Sequence, residues 1–560
     1  MDVRNGFVAV VLACALAPVA RAEVPAATAD RIDQLFKAYR QPGSPGCALA
    51  ISDDRRTIHA RGYGLANLEH GVAIDPGRSV FDVGSLAKQF TAASLLMLVE
   101  DKRLSLDDSV RKHLPELPAY LAPVTLRQLL NHTGGLPDYI ALLWLNGINF
   151  EDVARADDVL RLVGRQRELF FAPGSRYTYN NTGYFLISQV VERVSGETLP
   201  AFAHKRIFKP LGMADTRYVD DYTLLVPHRA SSYNPLGDRA YGLNFSNWVM
   251  TGDGALVSTA DDLARWARNF HTPAVGGQAL VDRLHARSTL ADGTVLKYNN
   301  GINQETYRGV PIAVSFGGWA AFRSAIARFP EQDASIVLLC NVADAPVWNL
   351  VYDVADIYLE DALSPRPAAS TTAAEPSLAG TYVNLDEGVT AQIAEREGAL
   401  RYTGSGLNDS ELTGQGGGRY LLGRNGDRAI RFTPAANATR ALIESDGWNI
   451  DLFPAPTATP SADALEAYTG VYDSPETGAR WTLFVQDGKL NYRDQRRPPF
   501  TLAPLTDDAF VHPFGGILHF RRDPAGRIQG FTLALEQMGR VRFMRDGGKS
   551  AAQPVQAASR

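Results

Sequence analysis

From Gln89 to Val99 the chain is apolar nearly all round, reading Gln-Phe-Thr-Ala-Ala-Ser-Leu-Leu-Met-Leu-Val, which predicts a helix buried inside a large domain. Two shorter apolar runs, Gly46-Cys47-Ala48-Leu49-Ala50-Ile51 and Ser335-Ile336-Val337-Leu338-Leu339-Cys340, read as strands. The pattern changes after Leu363. Ser364 to Ser377 and Phe453 to Pro460 are rich in Pro, Ala, Ser and Thr and read as linkers. Around them, short alternating runs broken by turns predict β structure. Gly380-Thr381-Tyr382 is followed by Gly398-Ala399-Leu400-Arg401-Tyr402, and Gly470-Val471-Tyr472 by Gly488-Lys489-Leu490-Asn491-Tyr492. Every Gly, Tyr and Leu of the first set recurs at one fixed offset in the second, so the C-terminal part holds two copies of one all-β unit. Short strands with frequent turns suit a small closed antiparallel barrel, which removes sheet edges.

Composition narrows the class. A chain of 560 residues, 45% hydrophobic with formal net charge −5, is an ordinary globular protein with room for two or three domains. That weak acidity speaks against nucleic acid as a partner. Val3-Arg4-Asn5, the apolar stretch Phe7 to Val19 and the small-residue site Ala20-Arg21-Ala22 predict a signal peptide over 1–22 and export to the periplasm or beyond. Asp2 departs from the usual charged region. Val11-Leu12-Ala13-Cys14 faintly suggests a lipoprotein box, but the apolar run before it is very short and plain export is the expectation. No other apolar run is long enough to span a bilayer. Cleavage after Ala22 leaves Cys47 and Cys340, for which a disulfide stays open and two buried free thiols are expected, because strand register is not legible in sequence. The tail 547–560 reads as disordered.

The chemistry concentrates in Ser85-Leu86-Ala87-Lys88, just before the buried helix. Residues at i and i+3 share one helix face, so the Lys88 amine can stand beside the Ser85 hydroxyl and relay its proton. Burial disfavours the charged lysine and makes it a better base. Gly84 permits a tight turn that puts Ser85 at the helix N-terminus, where backbone N–H groups favour developing negative charge. The spacing alone is cheap, since Ser109-Val110-Arg111-Lys112 repeats it in a charged stretch. A second element is Tyr179-Asn180-Asn181, which offers a phenol for proton transfer and a carboxamide two residues on. Tyr298-Asn299-Asn300 and Tyr382-Val383-Asn384 share that pattern, so surroundings must decide.

With these blocks the chain resembles the serine hydrolases related to penicillin-binding proteins and class C β-lactamases, which include D-aminopeptidases, D,D-carboxypeptidases and some esterases. The resemblance covers 26–363. It rests on Phe81 to Lys88, on Val124-Thr125-Leu126-Arg127-Gln128-Leu129-Leu130-Asn131-His132-Thr133-Gly134-Gly135-Leu136-Pro137, and on Tyr179 to Tyr184 with Asn180 in the family's Ser place. Pro210-Leu211-Gly212-Met213 and Gly254 to Ala264 are similar to further family segments. The resemblance implies an α+β catalytic domain, an antiparallel sheet flanked by helices, with Cys47 and Cys340 on neighbouring strands. It implies Ser85 as the acylated nucleophile, Lys88 and Tyr179 as the proton-transfer pair, and Asn181 as the group positioning Lys88 and the substrate amide. Which of Lys88 and Tyr179 is the acylation base stays open. Followed by all-β units at 378–453 and 463–546, the layout resembles D-aminopeptidases, whose two barrels help shape access to the site.

The third family motif departs. Relatives carry Lys-Thr-Gly, His-Thr-Gly or His-Gly-Gly on a strand lining the site, whereas this chain has Phe316-Gly317-Gly318-Trp319. These four are the candidate substrate-binding residues, and the N–H groups of Ser85 and Trp319 the candidate oxyanion hole. Without the cation a substrate carboxylate loses a partner worth about 1.5 to 3 kcal/mol, which disfavours β-lactams and D,D-carboxypeptidase substrates. Arg323 is a candidate replacement cation, with a structural salt bridge as the alternative.

Other motifs fail. Gly414-Gln415-Gly416-Gly417-Gly418 has no following helix and reads as a loop. No histidine pattern suggests a metal site, and His132 falls in a structural segment of the resembled family. The expectation is a periplasmic, cofactor-free serine hydrolase acting on small amide, ester or short peptide substrates. The alternatives are a β-lactamase or D,D-peptidase that recognises penicillins, and a non-catalytic binding or sensing homologue, which the absence of a cation at Phe316 favours. Oligomeric state is not legible.

Overall fold

The structure, a computed structural model, describes residues 23–547 apart from 239, 367–375, 405–406, 423–427, 435–438, 446–447, 456–457, 514 and 537–538. The expected signal peptide, most of the first linker and nearly all of the tail lie outside the described residues.

Seven antiparallel strands form the central sheet: β1 Cys47–Ser52, β2 Thr57–Tyr63, β3 Tyr298–Asn299, β4 Ile302–Tyr307, β5 Val310–Trp319, β6 Phe322–Phe329 and β7 Ala334–Cys340, in the spatial order β3-β4-β5-β6-β7-β1-β2. The helices that matter for the site and its support are α1 Ala26–Leu35, α2 Ala87–Glu100, α3 Tyr139–Leu145, α4 Asn181–Ser195, α5 Ala260–Arg268 and α6 Val347–Tyr358. β1 and β7 are buried along their whole length because both sheet faces are covered, which is why they read as unbroken apolar runs rather than alternating ones. On one face Leu49, Ile51, Ile336 and Leu338 pack with Phe36, Val351 and Tyr352. On the other, Ala48, Ala50, Val337 and Leu339 join Leu263, Trp266 and Phe90 in the core that also holds α2. The all-round apolar α2 is buried from Ala87 to Leu98.

Register decides the cysteine question against the expectation of free thiols. Cys47 lies directly opposite Cys340 with Cα atoms 4.0 Å apart, and the two are disulfide-bonded. A shift of one residue would turn one thiol to the other face of the sheet, and nothing local in either strand announces the pairing.

After the linker the two β units have one topology. Each is a nine-stranded antiparallel sheet whose edge strands are consecutive in the chain, Leu407–Glu411 with Thr413–Gly416 and Phe500–Thr501 with Ala503–Thr506, so each is a nearly closed barrel. The recurring residues have repeated jobs. Tyr382 donates its hydroxyl to the carbonyl of Leu378 and Tyr472 to that of Tyr468, while Gly398 and Gly488 take the left-handed turn before the third strand. Phe453 and Pro454, read as linker, instead close the last strand of the first barrel.

The second barrel docks on the helical region preceding Tyr179. Trp481 Nε1 donates to the carbonyl of Leu145 at 3.1 Å, Arg497 to that of Trp144 at 2.6 Å, and Asn146 and Arg165 both donate to the carbonyl of Thr477. The first barrel reaches the same stretch through Glu387, 3.0 Å from Arg176. Among the described residues no helix is long and apolar enough to cross a membrane.

Candidate active site

Ser85 sits in a short 3-10 turn, Gly84–Leu86, that runs straight into α2. Two glycines make the approach of this turn to β5 physically available. Gly84 has φ +52, and a Cβ there would fall 2.7 Å from the backbone nitrogen of Gly318. A Cβ on Gly317 would fall 2.1 Å from the carbonyl oxygen of Val83 and 3.1 Å from the Ser85 nitrogen. The turn is tied down from both sides, since Gly84 N–H donates to Asp82 Oδ1 at 2.9 Å and Ser324 Oγ donates to the carbonyl of Val83 at 2.7 Å. β5 pairs with β4 only as far as Val314 but with β6 through Trp319, which leaves the 315–319 edge beside Ser85 without a ladder partner.

Lys88 is 1% exposed and has three acceptors within hydrogen-bond distance. Its Nζ lies 3.0 Å from Ser85 Oγ, 2.8 Å from Asn181 Oδ1 and 2.9 Å from the backbone carbonyl of Asp253. Burial pushes the Lys88 amine below the ordinary lysine range, and the nearby charges of Asp253 and Asp138 oppose that push. Burial likewise pushes the Asp253 carboxyl up, with Lys88 opposing.

Asn181 begins α4 and is held by a buried acid. Asp138 Oδ2 accepts from the Asn181 backbone N–H at 2.6 Å and from its Nδ2 at 3.0 Å, while Asp138 Oδ1 caps α3 by accepting from Ile140 N–H. Asn180, which stands in the family's Ser place, does structural work: its Oδ1 caps α4 at Gly183 N–H and its Nδ2 donates to the carbonyl of Leu136. The half-buried Tyr179 presents its ring 4.8 Å from Lys88 Nζ, on the side where Ser85 influences its phenol. Burial pushes its phenol well above the usual tyrosine value, the Ser85 contact pulling the other way.

So Ser85, Lys88, Tyr179 and Asn181 meet at one point, with Gly317, Gly318 and Trp319 along the neighbouring edge. Phe316 does not join them. Strand alternation turns it to the opposite face, where its ring stacks on Trp348 at 5.8 Å and tilts against Tyr352 at 6.5 Å. The candidate replacement cation is also spoken for: Arg323 donates to the carbonyls of Ala320 and Phe322, tying the β5–β6 turn rather than facing Ser85. Trp319 packs instead among Phe150 and Trp248, at ring distances of 4.7 and 5.5 Å.

The decoys resolve by place. Ser109 caps a short helix and Lys112 pairs with Asp108 at the surface. Tyr298 is buried beside His132, and Tyr382 lies in the first barrel. Asp138 and Asp253 escaped the sequence reading. Asp138 carries the sequence signal of an acid just before an apolar run, whereas Asp253 acts through its backbone carbonyl, which no side-chain pattern reveals.

Fold and site define the class first: a serine hydrolase of the β-lactamase and penicillin-binding protein type. Residues 32–354, more than half of the chain, match the Beta-lactamase family, and the chain belongs to that family. It is 27% identical over 452 residues to the D-aminopeptidase of Gluconobacter oxydans (strain 621H), covering 78% of this chain and 81% of the relative. It is 27% identical over 399 residues to penicillin-binding protein 4* of Bacillus subtilis (strain 168), covering 65% and 85%. In fold it is similar to the octameric penicillin-binding protein homologue from Pyrococcus abyssi, with TM-score 0.53 and 18% identity over 84% of this chain and 97% of that one.

Proposed function

We propose that the chain is an exported hydrolase that transfers the acyl group of small amide or ester substrates to Ser85 and then to water. The observation that carries this reading is the coordination of Lys88. Asn181 Oδ1 and the Asp253 carbonyl can only accept, so they take the two hydrogens of a neutral amine and leave its lone pair for the Ser85 hydroxyl. Ser85 Oγ then attacks the substrate carbonyl as its proton passes to Lys88 Nζ. The N–H groups of Ser85 and Trp319 receive the oxyanion, a role supported by the close approach of Gly84 to Gly318. Tyr179, kept a neutral phenol by burial, gives its hydrogen to the leaving amine or alkoxide and is reprotonated from Lys88. Neutral Lys88 next takes a proton from water attacking the ester, and the acid leaves as Ser85 regains its hydrogen.

Amides fit best. The relative named D-aminopeptidase is matched over 78% of this chain, which takes in barrel as well as catalytic domain. Carboxylate-bearing β-lactams fit less well, because the segment Phe316 to Trp319 carries no cation and Arg323 is bonded to the β5–β6 turn. The Cys47–Cys340 disulfide and the signal-like sequence 1–22 support export into an oxidising compartment.

The test is a substrate panel: the p-nitroanilides of D- and L-alanine, p-nitrophenyl acetate and a chromogenic cephalosporin. Turnover of an anilide or of the ester, with the cephalosporin far behind, is the expected result. Turnover of the cephalosporin alone would support the penicillin-recognising alternative, and inertness to the whole panel would support the binding-module alternative.

A further inference from the structure

Tyr179 lies on irregular chain, residues 176–180, just ahead of α4, so no ladder or helix fixes it. What does bracket it is His132. The carbonyl of His132 accepts the N–H of Thr178 at 2.9 Å, and its Nδ1 accepts the N–H of Asn180 at 3.0 Å, the residues on either side of Tyr179. The imidazole itself packs at a tilt against the Tyr179 ring, centroids 4.4 Å apart. One residue reaches both flanks because His132 adopts φ +57, a left-handed conformation that turns its carbonyl and its ring to the same segment.

The surroundings keep that arrangement in one state. His132 is 2% exposed, and the rings of Tyr177, Tyr184 and Tyr298 close round it at 5.8, 5.2 and 4.5 Å. Burial first, and the charge of Lys88 second, hold the imidazole well below the usual histidine value, so it stays neutral. With Nδ1 accepting from a backbone N–H, the hydrogen of the neutral ring sits on Nε2, which has no hydrogen-bond partner among the described residues.

We infer that His132 is a positioning residue for Tyr179: its carbonyl, its Nδ1 and its ring together hold the phenol toward Ser85. The inference rests on the proposed role of Tyr179 in proton transfer. It assigns His132 no contact with substrate, so its loss should slow the chemical step while leaving binding alone.

Three substitutions separate the contributions. His132→Asn keeps an acceptor near the Nδ1 position and tolerates the left-handed backbone, His132→Phe keeps a ring without the acceptor, and His132→Ala keeps neither. Each is measured by hydrolysis of D-alanine p-nitroanilide, with active sites counted by end-point fluorophosphonate labelling and the fold checked by thermal unfolding. The expected result is that His132→Phe and His132→Ala lower kcat per labelled site by about 10²-fold with KM near wild type, and that His132→Asn recovers most of the loss. In a Tyr179→Phe background the same substitutions should cost little more, because they act through the phenol. Should His132→Phe not fold, the comparison of His132→Asn with His132→Ala carries the test. Equal losses in Asn and Ala, losses matched by fewer labelled sites, or undiminished losses in the Tyr179→Phe background would overturn the inference alone. A fully active Tyr179→Phe enzyme would overturn the catalytic reading together with it.

Discussion

Lys88 Nζ stands 3.0 Å from Ser85 Oγ in a pocket whose two other partners, Asn181 Oδ1 and the Asp253 carbonyl, offer acceptors only. This relationship makes the protonation of Lys88 the pivot of the chemistry. An ammonium fills all three contacts with its own hydrogens, whereas a neutral amine fills two and turns its lone pair to the serine.

The first prediction concerns Lys88 and pH. Burial lowers its value, so the neutral base accumulates at lower pH than for a free lysine at about 10.4. Acylation should therefore rise with pH through an apparent value below that figure. Lys88→Ala should remove the limb and lower kcat/KM by about 10²- to 10⁴-fold. A pH–rate profile for both proteins checks this, and a limb that survives in Lys88→Ala would assign it to another group.

Tyr179 should matter according to the leaving group. An anilide needs its nitrogen protonated as it departs, while p-nitrophenolate leaves unaided. Tyr179→Phe should lower anilide hydrolysis by about 10²-fold or more and p-nitrophenyl acetate hydrolysis by much less. Equal losses on both probes would move Tyr179 to the role of acylation base.

Asp138 should show itself in stability as well as rate. It accepts one hydrogen bond from the half-buried Ile140 N–H and, in a buried site, two from Asn181, whose backbone N–H and Nδ2 are the donors. Asp138→Ala leaves those donors unpaired, each worth about 1 to 3 kcal/mol, and frees the carboxamide that holds Lys88. A lower urea midpoint together with reduced kcat is expected; an unchanged midpoint would contradict this hydrogen-bonded arrangement.

Much of this site was legible in sequence because its parts are local. Ser85 and Lys88 share a helix face, and the apolar run after them announced burial. Asn181 was legible as the carboxamide two residues past Tyr179. What stayed hidden depends on register or on backbone. The Cys47–Cys340 bond requires knowing which residues of β1 and β7 face each other, and Phe316 leaves the site through strand alternation that the motif alone does not orient. Asp253 contributes a carbonyl, which every residue has. The barrels were visible through repetition, yet their docking on Trp144, Leu145 and Arg176 was not, since it joins surfaces far apart in the chain.

The disulfide closes a span of 293 residues and both sulfurs are buried. Cys47→Ser with Cys340→Ser should lower stability by about 2 to 5 kcal/mol. Calorimetry of the double variant against wild type reads this directly, and a wild type unaffected by reductant until it begins to unfold is the expected companion result.

The central claim is that Ser85 carries the acyl group, and mass spectrometry of the protein after a fluorophosphonate or an activated ester tests it most directly. The account predicts a single adduct on the peptide containing Ser85, formed faster as pH rises and absent from Ser85→Ala. An adduct on Ser109 or any other residue, or none from either reagent, would contradict it.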